Sequence, residues 1–201
     1  MHPWIRVSGF VFVLLFALQL TSATVAAQAR PAPFETLDPG VSVLADVNHS
    51  GAMQQYWSSG PALGFGVATP FYLGTLELGL QYAHPTALRN DVPDFRSYFL
   101  YAGWGGARDL GKGPAAGAGL RVGLMALRFD GDTLPDYRAQ ESELGVAARA
   151  ALRWMPAGTW YAETSASFQS VLTAHRMEQV FLGAGIGRRF ATPAWLRDFL
   201  D

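Results

Sequence analysis

The sequence has no cysteine and a single lysine, and each scarcity excludes a class of function. Without cysteine there is no disulfide scaffold, no cysteine-ligated zinc site and no thiol nucleophile. Lys112 is the only lysine and the formal net charge is −1, which argues against nucleic acid as a partner. Charged residues make up 15% of the 201 residues, whereas a soluble domain usually has about 25%. We therefore expect part of the surface to face something other than water.

The first residues have the layout of a secretory signal peptide. Residues 7–20 are almost wholly apolar, and Ala27 and Ala29 place small side chains before a cleavage site that follows Ala29. This apolar run is shorter than the roughly 20 residues that a membrane-spanning helix needs. We predict a cleaved signal peptide at residues 1–29, followed by a periplasmic N-terminal lead at 30–39.

From residue 40 onward, apolar residues recur at every second position, which is typical of β-strands. In the clearest segment Leu144, Val146 and Leu152 share one face, while Glu143 and Arg149 lie on the other. The pattern predicts eight strands, at residues 41–47, 61–67, 73–82, 96–105, 117–128, 141–154, 160–168 and 179–190. The alternation does not fix which face of segment 96–105 is which.

The composition of the two faces indicates which one points outward. The less apolar face is mostly Gly, Ala and Ser with a few charges, which suits the crowded interior of a narrow barrel. A continuous apolar exterior is a hazard in water but is expected in lipid. Because only helices and closed barrels span a bilayer, we predict an all-β fold, an eight-stranded antiparallel up-and-down transmembrane β-barrel at residues 40–190. A soluble lipocalin-like ligand-binding barrel, with its apolar face inward, is the alternative.

The connections alternate in length, as they do in outer-membrane barrels. The longer ones, predicted to face outward, are 48–60, 83–95, 129–139 and 170–178, and the inner ones are 69–72, 106–115 and 155–158. The inner connection 106–115 is longer than this pattern requires. Aromatic residues near the strand ends are predicted to form interfacial girdles: Tyr72, Tyr82, Trp104, Trp154 and Trp160.

Residues 191–201 are predicted to form a short C-terminal periplasmic tail. Thr192 and Pro193 read as the N-cap and first position of a helix. One side of that helix is apolar and is expected to rest on the periplasmic leaflet; its residues are Trp195, Leu196, Phe199 and Leu200.

The strand count, the loop asymmetry and a last strand that ends Gly185-Ile186-Gly187-Arg188-Arg189-Phe190 resemble the small eight-stranded outer-membrane barrels of the OmpA, OmpX and OmpW type. The resemblance covers about residues 38–190. It implies a location in the outer membrane, with outer-membrane lipid and lipopolysaccharide as partners. It also implies recognition of a terminal aromatic residue by the barrel-assembly machinery, although this chain continues beyond Phe190. We expect a monomer.

Charged residues on the polar faces of different strands form the main candidate site, a lumen polar network. Its members are Glu77, Arg121, Glu143, Arg149, Arg153, Glu163 and Arg189. Buried charges need partners, so we favour a structural network that satisfies itself inside a filled lumen. The alternative is a lining for an ion path.

Histidines in the outward loops provide an enzymatic alternative, because lipid A palmitoyltransferases and deacylases with small barrels use His and Ser at the outer rim. The candidates are His49, Ser50, His84 and His175. Adjacent residues such as His49 and Ser50 diverge in an extended chain, and a deacylase-like His-x-Ser spacing on a late strand is absent. We therefore predict no enzymatic activity.

The resemblance to the OmpW type also allows passage of small hydrophobic compounds along an apolar lumenal patch. Its residues would be Phe99, Tyr101, Met125, Leu127 and Phe181. No phosphate loop, dinucleotide fingerprint or metal-ligand cluster is present, so no cofactor and no metal are expected. The sequence predicts a non-enzymatic outer-membrane barrel with a structural, surface-interaction or small-solute role, and lipid A modification by acyl transfer or deacylation is the alternative.

Overall fold

A computed structural model describes residues 32–49, 51–111, 113–130, 140–156, 158–172 and 177–200. The predicted signal peptide lies outside these residues. In chain order the elements are β1 (Thr36–His49), α1 (Gly51–Tyr56), β2 (Trp57–Ser58), β3 (Pro61–Phe71), β4 (Gly74–Ala83), β5 (Thr86–Ala87), β6 (Phe95–Asp109), β7 (Pro114–Phe129), β8 (Gln140–Trp154), β9 (Trp160–Val171), β10 (Met177–Arg188), β11 (Phe190–Ala191) and α2 (Ala194–Leu200). Neither helix in the described part of the chain is long and apolar enough to cross a membrane.

Eight long strands form a closed antiparallel barrel, as predicted. Each long strand pairs with the next one along the chain, and β10 returns to pair with β1. At this closure Gly40 pairs with Gly187 and Val43 with Ala184, and a bulge between Asp46 and Asn48 shifts the register. Closure leaves no free sheet edge among these strands, so their backbone polar groups are paired within the wall.

The apolar face of the alternating strands points outward, which confirms the predicted orientation, and the outer face of β6 is apolar as well. The strand register aligns a row of outward apolar side chains across neighbouring strands: Ile186, Val41, Phe65, Leu80, Leu100, Leu124 and Leu144. All of them are exposed, including Leu100 at 60%. We call this row and its outward neighbours the apolar belt. The soluble alternative is therefore wrong, since it requires these side chains inside.

Three of the four connections at one barrel end are longer than any at the other end, and the fourth, 172–176, is as long as 155–159. One end, here the short-turn end, carries residues 72–73, 110–113 and 155–159, while the long-loop end carries 50–60, 84–94, 130–139 and 172–176. The prediction of a long connection at 106–115 is wrong, because β6 and β7 continue pairing to Asp109 and Ala115. Gly111 and Gly113, with φ of +96° and +108°, make the tight turn that remains.

The tail is anchored to the first strand and then becomes helical. In β11, Phe190 pairs with Leu37, and the Thr192 amide donates to the Glu35 carbonyl at 3.0 Å. The predicted helix exists as α2, but the prediction of Thr192 as its N-cap is wrong. The Pro193 carbonyl accepts the first helical bond, from Arg197 N at 3.1 Å. The Thr192 hydroxyl is buried against the barrel, without a hydrogen-bond partner in the described part of the chain.

Candidate functional site

The short-turn half of the lumen contains a chain of ion pairs centred on Asp38. The Asp38 side chain is only 7% exposed, and its carboxylate accepts hydrogen bonds from two arginines. Arg153 Nη1 lies at 2.8 Å, and Arg189 approaches with Nε at 2.9 Å and Nη2 at 2.8 Å. A buried carboxylate with three charge-assisted donors is well compensated for the loss of its water.

Arg153 extends this chain along the wall. Its Nε donates to Glu163 at 3.1 Å, and Glu163 in turn accepts from Arg149 on the same strand as Arg153. The result is a continuous series of alternating charge, Arg189–Asp38–Arg153–Glu163–Arg149, which we call the ion-pair chain. It joins strands β1, β8 and β9 with the segment that follows β10.

A second ion pair joins β4 and β7 across the inner face of β6, the strand that lies between them. Arg121 donates to Glu77 through Nη2 at 2.7 Å and Nε at 3.1 Å, a geometry in which both carboxylate oxygens are engaged. The Tyr101 hydroxyl donates to the same carboxylate at 3.1 Å. Arg121 and Glu77 are 10% and 24% exposed, so water does not separate them.

Two lumenal tyrosines lie along the inner wall, over glycines of the neighbouring strands. Tyr161 lies against Gly40 and Gly187, and its hydroxyl donates to the Pro39 carbonyl at 3.2 Å. A Cβ on Gly40 would lie 2.7 Å from that hydroxyl, so a larger residue cannot fit without displacing the ring. The Arg153 guanidinium lies 4.0 Å from the centre of the Tyr161 ring, a cation–π contact.

Tyr101 repeats this arrangement on the other ion pair. It lies over Gly79, and the Arg121 guanidinium is 4.4 Å from its ring centre. Each unit thus combines a tyrosine, a glycine in the neighbouring strand, an arginine over the ring and a carboxylate. We call these two units the tyrosine modules. They fill the short-turn half of the lumen with paired charge and aromatic rings.

The long-loop half of the lumen contains a large apolar cluster beside buried polar side chains such as Gln81, Gln169 and Gln179. Buried side chains from α1 and the barrel wall form one cluster, which we call the apolar plug: Met53, Phe95, Phe99, Tyr101, Met125, Leu127, Ala147 and Val171. Met53 belongs to α1 and is 3% exposed, so the first long connection folds into the barrel mouth. Trp57 packs on the plug and donates from Nε1 to the Pro93 carbonyl at 2.8 Å, which ties the first two long connections together.

The predicted apolar patch is therefore lumenal, and the structure shows which residues of β6 face the lumen. Phe99 and Tyr101 point inward, whereas Tyr98 and Leu100 point outward. Phe181 is also buried, but in a separate cluster whose other members are Leu44, Ala62 and Ala83.

The structure brings together every predicted member of the polar network except Glu143. Glu143 lies on the lumenal face of β8 but is paired in register with Met125, nearer the long-loop end, and makes no ion pair with a described residue. Sequence reasoning missed Asp38, Tyr101 and Tyr161 as participants. Asp38 is two positions before Gly40 and four before Ser42, so it lies on the same lumenal face of β1. Extending the alternation of β1 back into residues 30–39 would have predicted it.

The histidine candidates are not assembled into a site by the described residues. His84 Nε2 lies 3.9 Å from Asp130 Oδ2, an oxygen that also accepts from Arg96 at 3.2 Å. No hydroxyl is hydrogen-bonded to His84 within the described ranges. His49 ends β1 opposite Gln179, and Ser50 and His175 lie outside the described residues. No group of three or more potential metal ligands occurs in the part of the chain that the structure describes.

The long connections also carry an exposed ion pair. Arg89 donates from Nε and Nη2 to Asp91 at 2.8 and 2.6 Å. Hydrogen bonding to this guanidinium lowers the pKa of the Asp91 carboxyl. Both side chains are about half exposed, in contrast to the lumenal pairs.

A closed eight-stranded antiparallel barrel with an apolar exterior is the fold of a membrane-spanning β-barrel of the outer-membrane type. Among solved structures, the neisserial surface protein A is similar, with 14% identity, a TM-score of 0.56 and coverage of 79% of this chain and 99% of that one. The attachment invasion locus protein Ail of Yersinia pestis is 13% identical with a TM-score of 0.50, covering 78% and 99%. These likenesses confirm the expected resemblance at the level of the fold. No protein-family model and no curated protein sequence matches the chain.

Proposed function

We propose that this protein is a non-enzymatic outer-membrane barrel with a sealed lumen, which acts through the surface of its long-loop end rather than by passing solutes. The observation that carries the proposal is the filling of the lumen by side chains in both halves. An eight-stranded barrel has an interior just wide enough for side chains, so filling and sealing are here the same condition.

The ion-pair chain supports sealing at the short-turn end. Passage of an ion would require Asp38, Arg153 and Glu163 to exchange their mutual contacts for contacts with the solute. Breaking a buried pair by removing one partner costs about 3–5 kcal/mol, which sets the scale of the barrier to separating these groups. A static row of paired charges is consequently a structural element and not a wet path.

The apolar plug supports sealing at the other end. An ion that entered the apolar plug would exchange its water for apolar side chains and neutral amides such as those of Gln81 and Gln169, which is unfavourable. In addition, α1 covers the plug from the long-loop side, and the β2–β5 pair joins Trp57 to Ala87. The first two long connections are longer than a simple hairpin needs, and their extra residues form a folded surface at the long-loop end. A partner would bind to this surface.

Single-channel recording in planar bilayers tests the sealed lumen. We expect no stable conductance from the refolded protein under conditions in which a general porin, added as the positive control, gives clear steps. Heat-modifiable migration on a gel of the same preparation establishes that the barrel is folded. A reproducible conductance of the folded protein would refute sealing and return the polar network to the role of an ion path.

Mass spectrometry of lipid A tests the absence of enzymatic activity. Outer membranes with and without the protein are expected to give the same set of acyl chains. A gained or lost acyl chain would refute the non-enzymatic assignment, and His84 would then be the first described residue to substitute.

A further inference from the structure

Helix α2 presents two large aromatic side chains that the barrel leaves uncovered. Trp195 is 71% exposed and Phe199 is 81% exposed. Residues four positions apart lie on one face of a helix, so the two rings project in the same direction, while Arg197 lies on the opposite side. We propose that α2 lies in the membrane interface at the short-turn end, with Trp195 and Phe199 inserted among the phospholipids of the periplasmic leaflet.

The length of α2 supports an apolar cover. The helix has seven residues, whereas isolated helices shorter than about 12–15 residues are marginal in water. Helices in proteins gain most of their stability from packing of an apolar face. For α2 that face carries Phe199, which has the largest exposed fraction of any large hydrophobic residue in the described ranges.

The position of α2 identifies lipid as the cover. Strand β11 pairs with the start of β1 and fixes Phe190 at the short-turn end of the wall, just before the helix begins. Trp160 and Phe190 lie there on the outer surface, and the Arg188 guanidinium is 5.5 and 5.0 Å from their ring centres. Aromatic and arginine side chains at a barrel rim sit at the level of the lipid headgroups.

The apolar face of α2 therefore continues a surface that already faces lipid. The two-residue pairing of β11 with β1 holds α2 next to the barrel rim at the short-turn end. From this position the helix can lie on the bilayer surface without any change in the barrel. Tryptophan is favoured at such an interface because its ring is apolar and its N–H can still meet a polar group. The inference rests on the membrane placement of the barrel and not on whether its lumen is sealed.

The absence of native cysteine allows a test by single-cysteine labelling. Trp195→Cys and Arg197→Cys, which place a label on opposite sides of α2, are labelled with a nitroxide in the full chain. The proteins are refolded into vesicles of phosphatidylethanolamine and phosphatidylglycerol. Leu100→Cys in the apolar belt and Leu88→Cys in a long connection serve as the lipid and water references. Accessibility to dissolved oxygen and to a water-soluble nickel chelate is measured by power saturation.

The label at position 195 should resemble that at 100, with oxygen accessibility at least several-fold above that at 197, while the label at 197 should resemble that at 88. A label at 195 that is as open to the nickel chelate as the label at 88 would overturn the proposal and leave the aromatic face to a protein partner. If the label at 100 is also open to water in folded protein, the membrane placement itself is wrong and the proposal fails with it. Sealing of the lumen is tested separately by conductance.

Discussion

Replacing Asp38 by Asn removes the charge at the centre of the ion-pair chain while keeping the volume of the side chain. The variant leaves Arg153 and Arg189 facing one another across a neutral amide, although Arg153 keeps Glu163 at 3.1 Å. Removing one partner of a buried ion pair costs about 3–5 kcal/mol. Arg189 is 42% exposed, so water replaces part of what it loses, and we expect a loss of about 2–4 kcal/mol in the free energy of unfolding.

Urea unfolding of the protein refolded in vesicles, followed by heat-modifiable migration, measures this loss. With an ordinary dependence of stability on denaturant, the midpoint should fall by on the order of 1 M. Asp91→Asn is the matched control, because it makes the same substitution opposite Arg89 in an exposed pair. That variant should leave the midpoint unchanged, since exposed pairs are screened by water and salt. Equal midpoints for Asp38→Asn and Asp91→Asn would refute the stabilising role of the ion-pair chain.

Two further pairs of variants test the plug and the belt. Gly145→Ala places a Cβ 2.8 Å from the ring of Phe99 and should cost about 1–3 kcal/mol, whereas Gly106→Ala, whose Cβ meets nothing within 4 Å, should unfold at the wild-type urea midpoint. The same loss in both would show that Phe99 does not fill the space opposite Gly145. Leu100→Arg should cost about 2–4 kcal/mol on insertion into vesicles, as expected near the bilayer midplane, while Leu88→Arg, equally exposed but in a long connection, should fold like the wild type. Normal folding of Leu100→Arg would place the belt outside the membrane.

Alternation predicts the strands wherever the two faces differ in chemistry. It succeeds in β8, where Leu144 and Leu152 oppose Glu143 and Arg149, and it cannot assign β6. In β6 the inward residues belong to the apolar plug and the outward residues belong to the apolar belt. Both faces are hydrophobic, so the sequence of this strand shows no alternation of apolar and polar residues. The extension of β6 and β7 beyond residue 106 is not predicted either, because Ala115, Ala116 and Gly117 put small side chains on both faces of β7 and the end of β6 carries the charged Arg108 and Asp109.

The candidate site was predicted as a set of charges on one face, but its pairings were not. The alternation shows that Arg153 and Glu163 face the lumen, yet it carries no information on the stagger between strands, which sets their depth. Stagger is also what separates Glu143 from the rest, because the register places it level with Met125. Asp38 and Arg189 are 151 positions apart in the chain, so no local pattern predicts their contact.

Because its partners are so distant in the sequence, Asp38 stabilises the barrel only when the barrel is complete. Its carboxylate belongs to the first strand, yet its partners Arg153 and Arg189 are contributed by β8 and by the segment after β10. Until β8 and the segment after β10 lie beside β1, the Asp38 carboxylate lacks both partners and needs water in their place. Because Asp38 gains its ion pairs only in the closed barrel, an incomplete barrel is less stable than its number of paired strands alone would suggest.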